Sequence, residues 1–172
     1  MLTANSSQTI ATDRGATFVL SAAEREQIEH AMHHYVDPRA ATIDALKIVQ
    51  AKHRWVPDGA VTAIANLLGT SASDVEGVAT FYNRIYRQPV GRHVIAVCDS
   101  TSCFLMGFDQ LYGALQKKLG IGPGQTTADD RFTLLPIVCL GACDKAPVLM
   151  INDVTHFNVT HENIDFVLEH YL

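Results

Sequence analysis

The sequence predicts an α+β chain, with an N-terminal helical bundle followed by a small α/β layer. Three observations carry that reading. Apolar residues recur at helical spacing, punctuated by capping signals, from residue 18 to about 86. The pattern then changes at Gln88-Pro89-Val90-Gly91 to short apolar runs of strand type. The four cysteines all fall in this second part, as two close pairs. At 172 residues, the chain has room for one ordinary domain or for a small domain attached to a compact second one.

Residues 1–17 are rich in Ser and Thr and have no apolar period, which predicts a disordered tail. Ser21-Ala22-Ala23-Glu24 reads as a capping box opening a first helix, with Ile28 and Met32 one turn apart behind it. Asp37-Pro38 marks a second start, with Asp37 as N-cap and Pro38 at the first helical position, where a missing N–H costs nothing. That helix turns Ile43, Leu46 and Val49 inward and ends before Trp55-Val56-Pro57. Asp58 begins a third helix with Val61, Ile64, Ala65 and Leu68 on one face and Gly69 as its stop. Ser73 with Glu76 reads as another capping box, followed by Val75, Val78, Ala79 and Tyr82. Residues 18–86 form the predicted helical domain.

Beyond the linker, residues 91–172 form the second predicted domain. His93–Val97 reads as a buried strand and Phe108–Leu119 as a helix with Leu111, Leu115 and Leu119 in register, stopped by Gly120. Phe132–Val138 and Val148–Ile151 read as strands, and Val154–Phe157 as a short fourth after a turn at Asn152-Asp153. Ile164, Val167 and Leu168 mark a closing helix. This β-α-β-β-α order suggests a layer of thioredoxin-like type.

Composition narrows the function classes. A hydrophobic fraction of 48% and a charged fraction of 18% describe a globular protein with a substantial core. A net charge of −5 argues against a nucleic-acid partner, because phosphate neutralisation needs surplus Lys and Arg. The one helix-turn-helix hint, Ala63 to Val78, fails on the same ground. No apolar run approaches the roughly 20 residues that span a bilayer, and no signal-peptide pattern opens the chain, so direct membrane insertion is not expected and the cytoplasm is. In that reducing compartment four cysteines are better metal ligands than disulfides.

Cys98 ends the first predicted strand and Cys103 follows five residues later, before the helix. Cys139 ends the second, and Cys143 follows four residues later. Strands laid side by side would gather the four sulfurs, which suit either a [2Fe-2S] cluster or a structural zinc. Zinc pairs usually have two intervening residues; here four and three intervene, which favours the larger cluster. Gly141 allows a turn that aims backbone N–H groups at sulfur. The two-residue spacing of a thioredoxin-type dithiol is missing. His30, His33 and His34 share a helical face but gain no clear Cys or carboxylate, and read as a solvated surface. No dinucleotide-type glycine loop follows the first strand, no Ser-His-Asp or paired-carboxylate arrangement stands out, and no catalytic residue is assigned.

Three stretches carry a family resemblance: Asp74-Val75-Glu76-Gly77-Val78-Ala79-Thr80-Phe81-Tyr82, Cys98-Asp99-Ser100-Thr101-Ser102-Cys103, and Cys139-Leu140-Gly141-Ala142-Cys143 running on to Ala146-Pro147. Gly124-Gln125-Thr126-Thr127 fits as well. From about Leu20 onward the chain resembles the small thioredoxin-like [2Fe-2S] ferredoxin subunits of bacterial respiratory complex I, the E subunits of NADH:quinone oxidoreductase. The resemblance implies that Cys98, Cys103, Cys139 and Cys143 ligate one [2Fe-2S] cluster that exchanges single electrons with the FMN of a partner subunit. It implies that FMN and NADH belong to that partner alone, with further iron-sulfur subunits beyond it. It also implies a place in the peripheral arm of a membrane-bound complex, on the cytoplasmic side of the inner membrane. The same chemistry would serve an NAD-linked formate dehydrogenase or hydrogenase, and a zinc-stapled interaction module is the rival of another class. The sequence departs from the family at Val138, where many relatives carry Glu, and at Asp129-Asp130, where Asp-Gly is frequent.

Overall fold

The computed structural model describes residues 18–171; the tail predicted over residues 1–17 lies outside them. The chain divides into two compact units at Gln88/Pro89. No helix among the described residues is long and apolar enough to cross a membrane.

The first unit holds α1 (Ala22–Met32), a 3-10 helix at Pro38–Ala41, α2 (Thr42–His53), α3 (Asp58–Leu68) and α4 (Ala72–Phe81). Ser21 caps α1 as the spacing predicts: its hydroxyl accepts from the Glu24 N–H at 3.3 Å and its own N–H donates to the Glu24 carboxylate at 2.9 Å. Glu24 is buried, which pushes its carboxyl up. The Ser21, Lys52 and His53 donors outweigh that and hold it at about 2. Asp37 caps the 3-10 turn, so Pro38 opens that turn and α2 begins only at Thr42. Ile28, Leu46, Val49, Val61, Ile64, Ala65, Leu68, Val75 and Ala79 meet in one core. The predicted cap of α4 is displaced by two residues. Ser71, not Ser73, accepts from the N–H three positions on, that of Asp74 at 3.1 Å, and its hydroxyl donates to the Asp74 carboxylate at 2.7 Å. The motif S-x-x-acid occurs twice here in overlapping frames, Ser71 to Asp74 and Ser73 to Glu76. Tyr82, which continues the helical spacing of Val75, Val78 and Ala79, is exposed, because α4 ends at Phe81 and its cap turns extended at Tyr82.

The second unit holds β1 (His93–Cys98), α5 (Thr101–Leu105), α6 (Phe108–Leu119), β2 (Phe132–Ile137), a 3-10 turn at Cys143–Lys145, β3 (Leu149–Ile151), β4 (Val154–His156) and α7 (Ile164–Glu169). The sheet order is β2-β1-β3-β4, with β1 and β2 parallel and the other pairs antiparallel. Central β1 is buried along its length after His93, which explains its unbroken apolar run. Leu111 and Leu115 of α6 and Ile164, Val167 and Leu168 of α7 pack with Ile95, Val97, Leu134, Leu149 and Ile151 in one core. The free edge of β2 is covered by Gly124–Thr127: Gly124 donates to the Leu134 carbonyl at 2.7 Å and Thr127 to that of Phe132 at 2.8 Å. Asp130 sits at φ 56° in the turn before β2, where a glycine would suit.

Candidate metal centre

Parallel pairing creates the site. Cys98 faces Ile137 across the β1–β2 ladder, so both strands end at the same edge of the sheet and both cysteine loops leave from there. A two-residue hairpin cannot join parallel strands, and the crossover through α6 is what lets the two loops lie side by side. The start of β3 closes in from the third side, where the Cys98 N–H donates to the Val148 carbonyl at 3.1 Å.

The inner pair sits on regular structure. Cys98 is the last residue of β1, and Cys103 lies within α5, whereas the sequence placed it ahead of any helix. The run Thr101–Leu105 is too short for a periodic signal. Both thiols are buried and pack with Ala146 and Val148. Burial, then a hydrogen bond with the Cys98 thiol, pushes Cys103 up to about 11, opposed by the Val148 N–H.

The outer pair sits on a loop. β2 ends at Ile137, two residues before Cys139, and Cys143 opens the short 3-10 turn; both are exposed. Their sulfurs lie 3.5 Å apart. Gly141 adopts φ 83°, and its N–H donates to Cys139 Sγ at 3.4 Å, the arrangement its glycine was expected to permit. That N–H, with Cys143 and Cys98 adding to it, holds the Cys139 thiol below its ordinary range. Cys143 is pushed up by its hydrogen bond with Cys139, against a lowering contribution from the Ser102 hydroxyl. Cys98 meets Cys139 as well as Cys103, so the two pairs touch.

Four thiols with N–H and O–H donors turned toward them form a soft, anion-tolerant donor set, which suits iron and sulfide. No group of three or more His, Cys, Asp or Glu side chains among the described residues is arranged to hold one metal ion. The two cysteine pairs adjoin through Cys98 and Cys139. His30 and His34 stand edge to face at 4.9 Å on the helical unit and gather no third ligand.

The thioredoxin-like [2Fe-2S] ferredoxin family matches residues 28–172, well over half of the chain. The chain belongs to this family. As a thioredoxin-like ferredoxin it carries one [2Fe-2S] cluster. A relative from Pseudomonas aeruginosa, the E subunit of NADH-quinone oxidoreductase, is 62% identical over 166 residues, covering 96% of this chain and 98% of its own. The protein of the same name from Escherichia coli is 64% identical over 154 residues, covering 90% and 93%. Among solved structures, an NAD+-reducing [NiFe]-hydrogenase in the H2-reduced state superposes with a TM-score of 0.65 at 24% identity. That match covers 76% of this ferredoxin and 22% of the hydrogenase chain, and it speaks for the fold.

Proposed function

We propose that this chain is the electron-transfer subunit of an NADH-quinone oxidoreductase, with Cys98 and Cys103 holding one iron of its cluster and Cys139 and Cys143 the other. The convergence of the two cysteine loops at one sheet edge carries this reading. When bound, the cluster supplies a one-electron site beside a two-electron flavin in a partner subunit that also binds NADH. This chain's residues tune and shield that site. Gly141 N–H and Ser102 O–H offset negative charge at the outer thiolates, and burial of Cys98 and Cys103 keeps water from the inner ones. Phe104, Leu105, Met106 and Val138, adjoining the cysteines in sequence, are exposed apolar side chains fit for a docked partner. The complex would place this subunit in a peripheral arm on the cytoplasmic side, joined to further iron-sulfur subunits. The identity above 60% to quinone-linked relatives favours this parent over an NAD-linked hydrogenase or formate dehydrogenase.

Metal and sulfide analysis of the purified chain tests the reading. About two irons and two sulfides per brown chain are expected; one zinc in a colourless chain would refute it. The isolated chain should not oxidise NADH, and turnover without a flavin-bearing partner would overturn the division of labour.

A further inference from the structure

The loop that carries Cys143 has little regular structure of its own, yet it is tied down from one side. Lys145 closes the 3-10 turn by donating its N–H to the Ala142 carbonyl at 3.0 Å. Directly after β4, residues 157–159 run past that turn. The Asn158 N–H donates to the Lys145 carbonyl at 2.9 Å, and the Val159 N–H donates to the Pro147 carbonyl at 3.0 Å. The Lys145 ammonium lies 4.7 Å from the centre of the Phe157 ring, within cation–π range. The strap is anchored at its far end: Val159 is buried in the core, and the Asn163 side-chain amide donates to the Asn158 carbonyl at 3.0 Å. Phe157 itself is 44% exposed. A large ring left partly in water contributes little to the core, so its contact with Lys145 is what it offers the turn.

We propose that Phe157 is a positioning residue for the outer cysteine pair. Its ring holds the Lys145 side chain and, with the two adjoining main-chain hydrogen bonds, fixes the turn that presents Cys143. The inner pair needs no such clasp, because β1 and α5 place it. The inference rests on Cys143 being a cluster ligand, as proposed above.

The test uses the cluster-loaded full chain in wild-type form and as Phe157→Leu, Phe157→Tyr, Lys145→Met, the Phe157→Leu/Lys145→Met double variant and Cys143→Ala. The rate of iron transfer to excess chelator is followed by loss of the cluster's visible absorption. A surface cation–π contact predicts that Phe157→Leu and Lys145→Met each speed release about two- to fivefold. Phe157→Tyr, which keeps the ring, should release at the wild-type rate. The double variant should be no faster than the faster single, because both remove one interaction. Wild-type release by Phe157→Leu, or rates that multiply in the double variant, would overturn the proposal. Full iron and sulfide in Cys143→Ala would instead refute the ligand assignment, which keeps the two failures apart.

Discussion

Cys98 and Cys103 are buried, one at the end of a central strand and the other inside a helix; Cys139 and Cys143 are exposed, on a loop and a single 3-10 turn. As the proposed cluster ligands, the two pairs would supply equivalent chemistry, yet they are held by unlike physics. The inner thiols are held by the packing that holds the sheet, since Cys98 continues a strand that both flanking strands cover. The outer thiols are held by turn chemistry: a glycine at positive φ, an N–H on sulfur, and a strap from beyond β4. One side of the centre is therefore part of the fold, and the other is a local device built beside it.

The largest expected effect separates the pairs outright. Alanine at any of the four cysteines should abolish or cripple the cluster, read as iron and sulfide per chain. In the cluster-free state, however, Cys98→Ala and Cys103→Ala should lose about 1–2 kcal/mol of unfolding free energy through lost packing. Cys139→Ala and Cys143→Ala should stay within about 0.5 kcal/mol of wild type. Equal losses at all four positions in denaturant titrations would erase the distinction. Alkylation of the reduced, cluster-free chain sharpens it. A thiol at about 11 in place of 9.0 has about a hundredfold less thiolate at neutral pH. Cys139, lowered and exposed, should label first and Cys103 last at pH 7, and raising the pH should narrow the gap as the Cys103 thiolate appears. Mass spectrometry of timed samples that finds Cys103 labelled first would contradict the assigned environments.

Gly141→Ala probes the outer device alone. No atom lies within 4 Å of the added Cβ, so the penalty is the backbone's, about 1–2 kcal/mol for an L residue at φ 83°. Weaker cluster retention is expected with the secondary structure intact; unchanged retention would show that the Gly141 turn does not hold Cys139. The smallest effect belongs to Val138→Glu. A carboxylate beside an anionic centre opposes reduction, but residue 138 is 62% exposed, so water screens it. At about 8 Å in a water-like dielectric the repulsion is about 0.5 kcal/mol. That corresponds to a midpoint lowered by roughly 20 mV at 59 mV per tenfold for one electron. An EPR-monitored redox titration that finds no change, or a rise, would remove charge at this position from the potential.

Much of the architecture was legible because it rests on short-range rules. The Ser21 capping box, the Gly69 and Gly120 helix stops and the apolar run of β1 each need only a few neighbouring residues to be recognised. Errors fell where two local solutions compete, as with Ser71 and Ser73, or where an element is one turn long, as with α5 around Cys103. The strap at Phe157 left no sequence signal, since its partners at Lys145 and Pro147 lie twelve residues from Phe157 and Val159 and are met only through the β3–β4 hairpin.

The sequence by itself determined the candidate donors: four thiols in two close pairs, a glycine able to take positive φ between the outer two, and no nucleotide loop beside them. Those are properties of residue type and local spacing, which do not depend on where distant segments lie. Only the tertiary structure decided that the pairs meet, that one is buried and the other exposed, and which donors face which sulfur. That outcome depends on β1 and β2 pairing in parallel with Cys98 in register with Ile137. Residues about 40 positions apart are brought together by non-local hydrogen bonds and shared core burial, and no local pattern encodes such a register on its own.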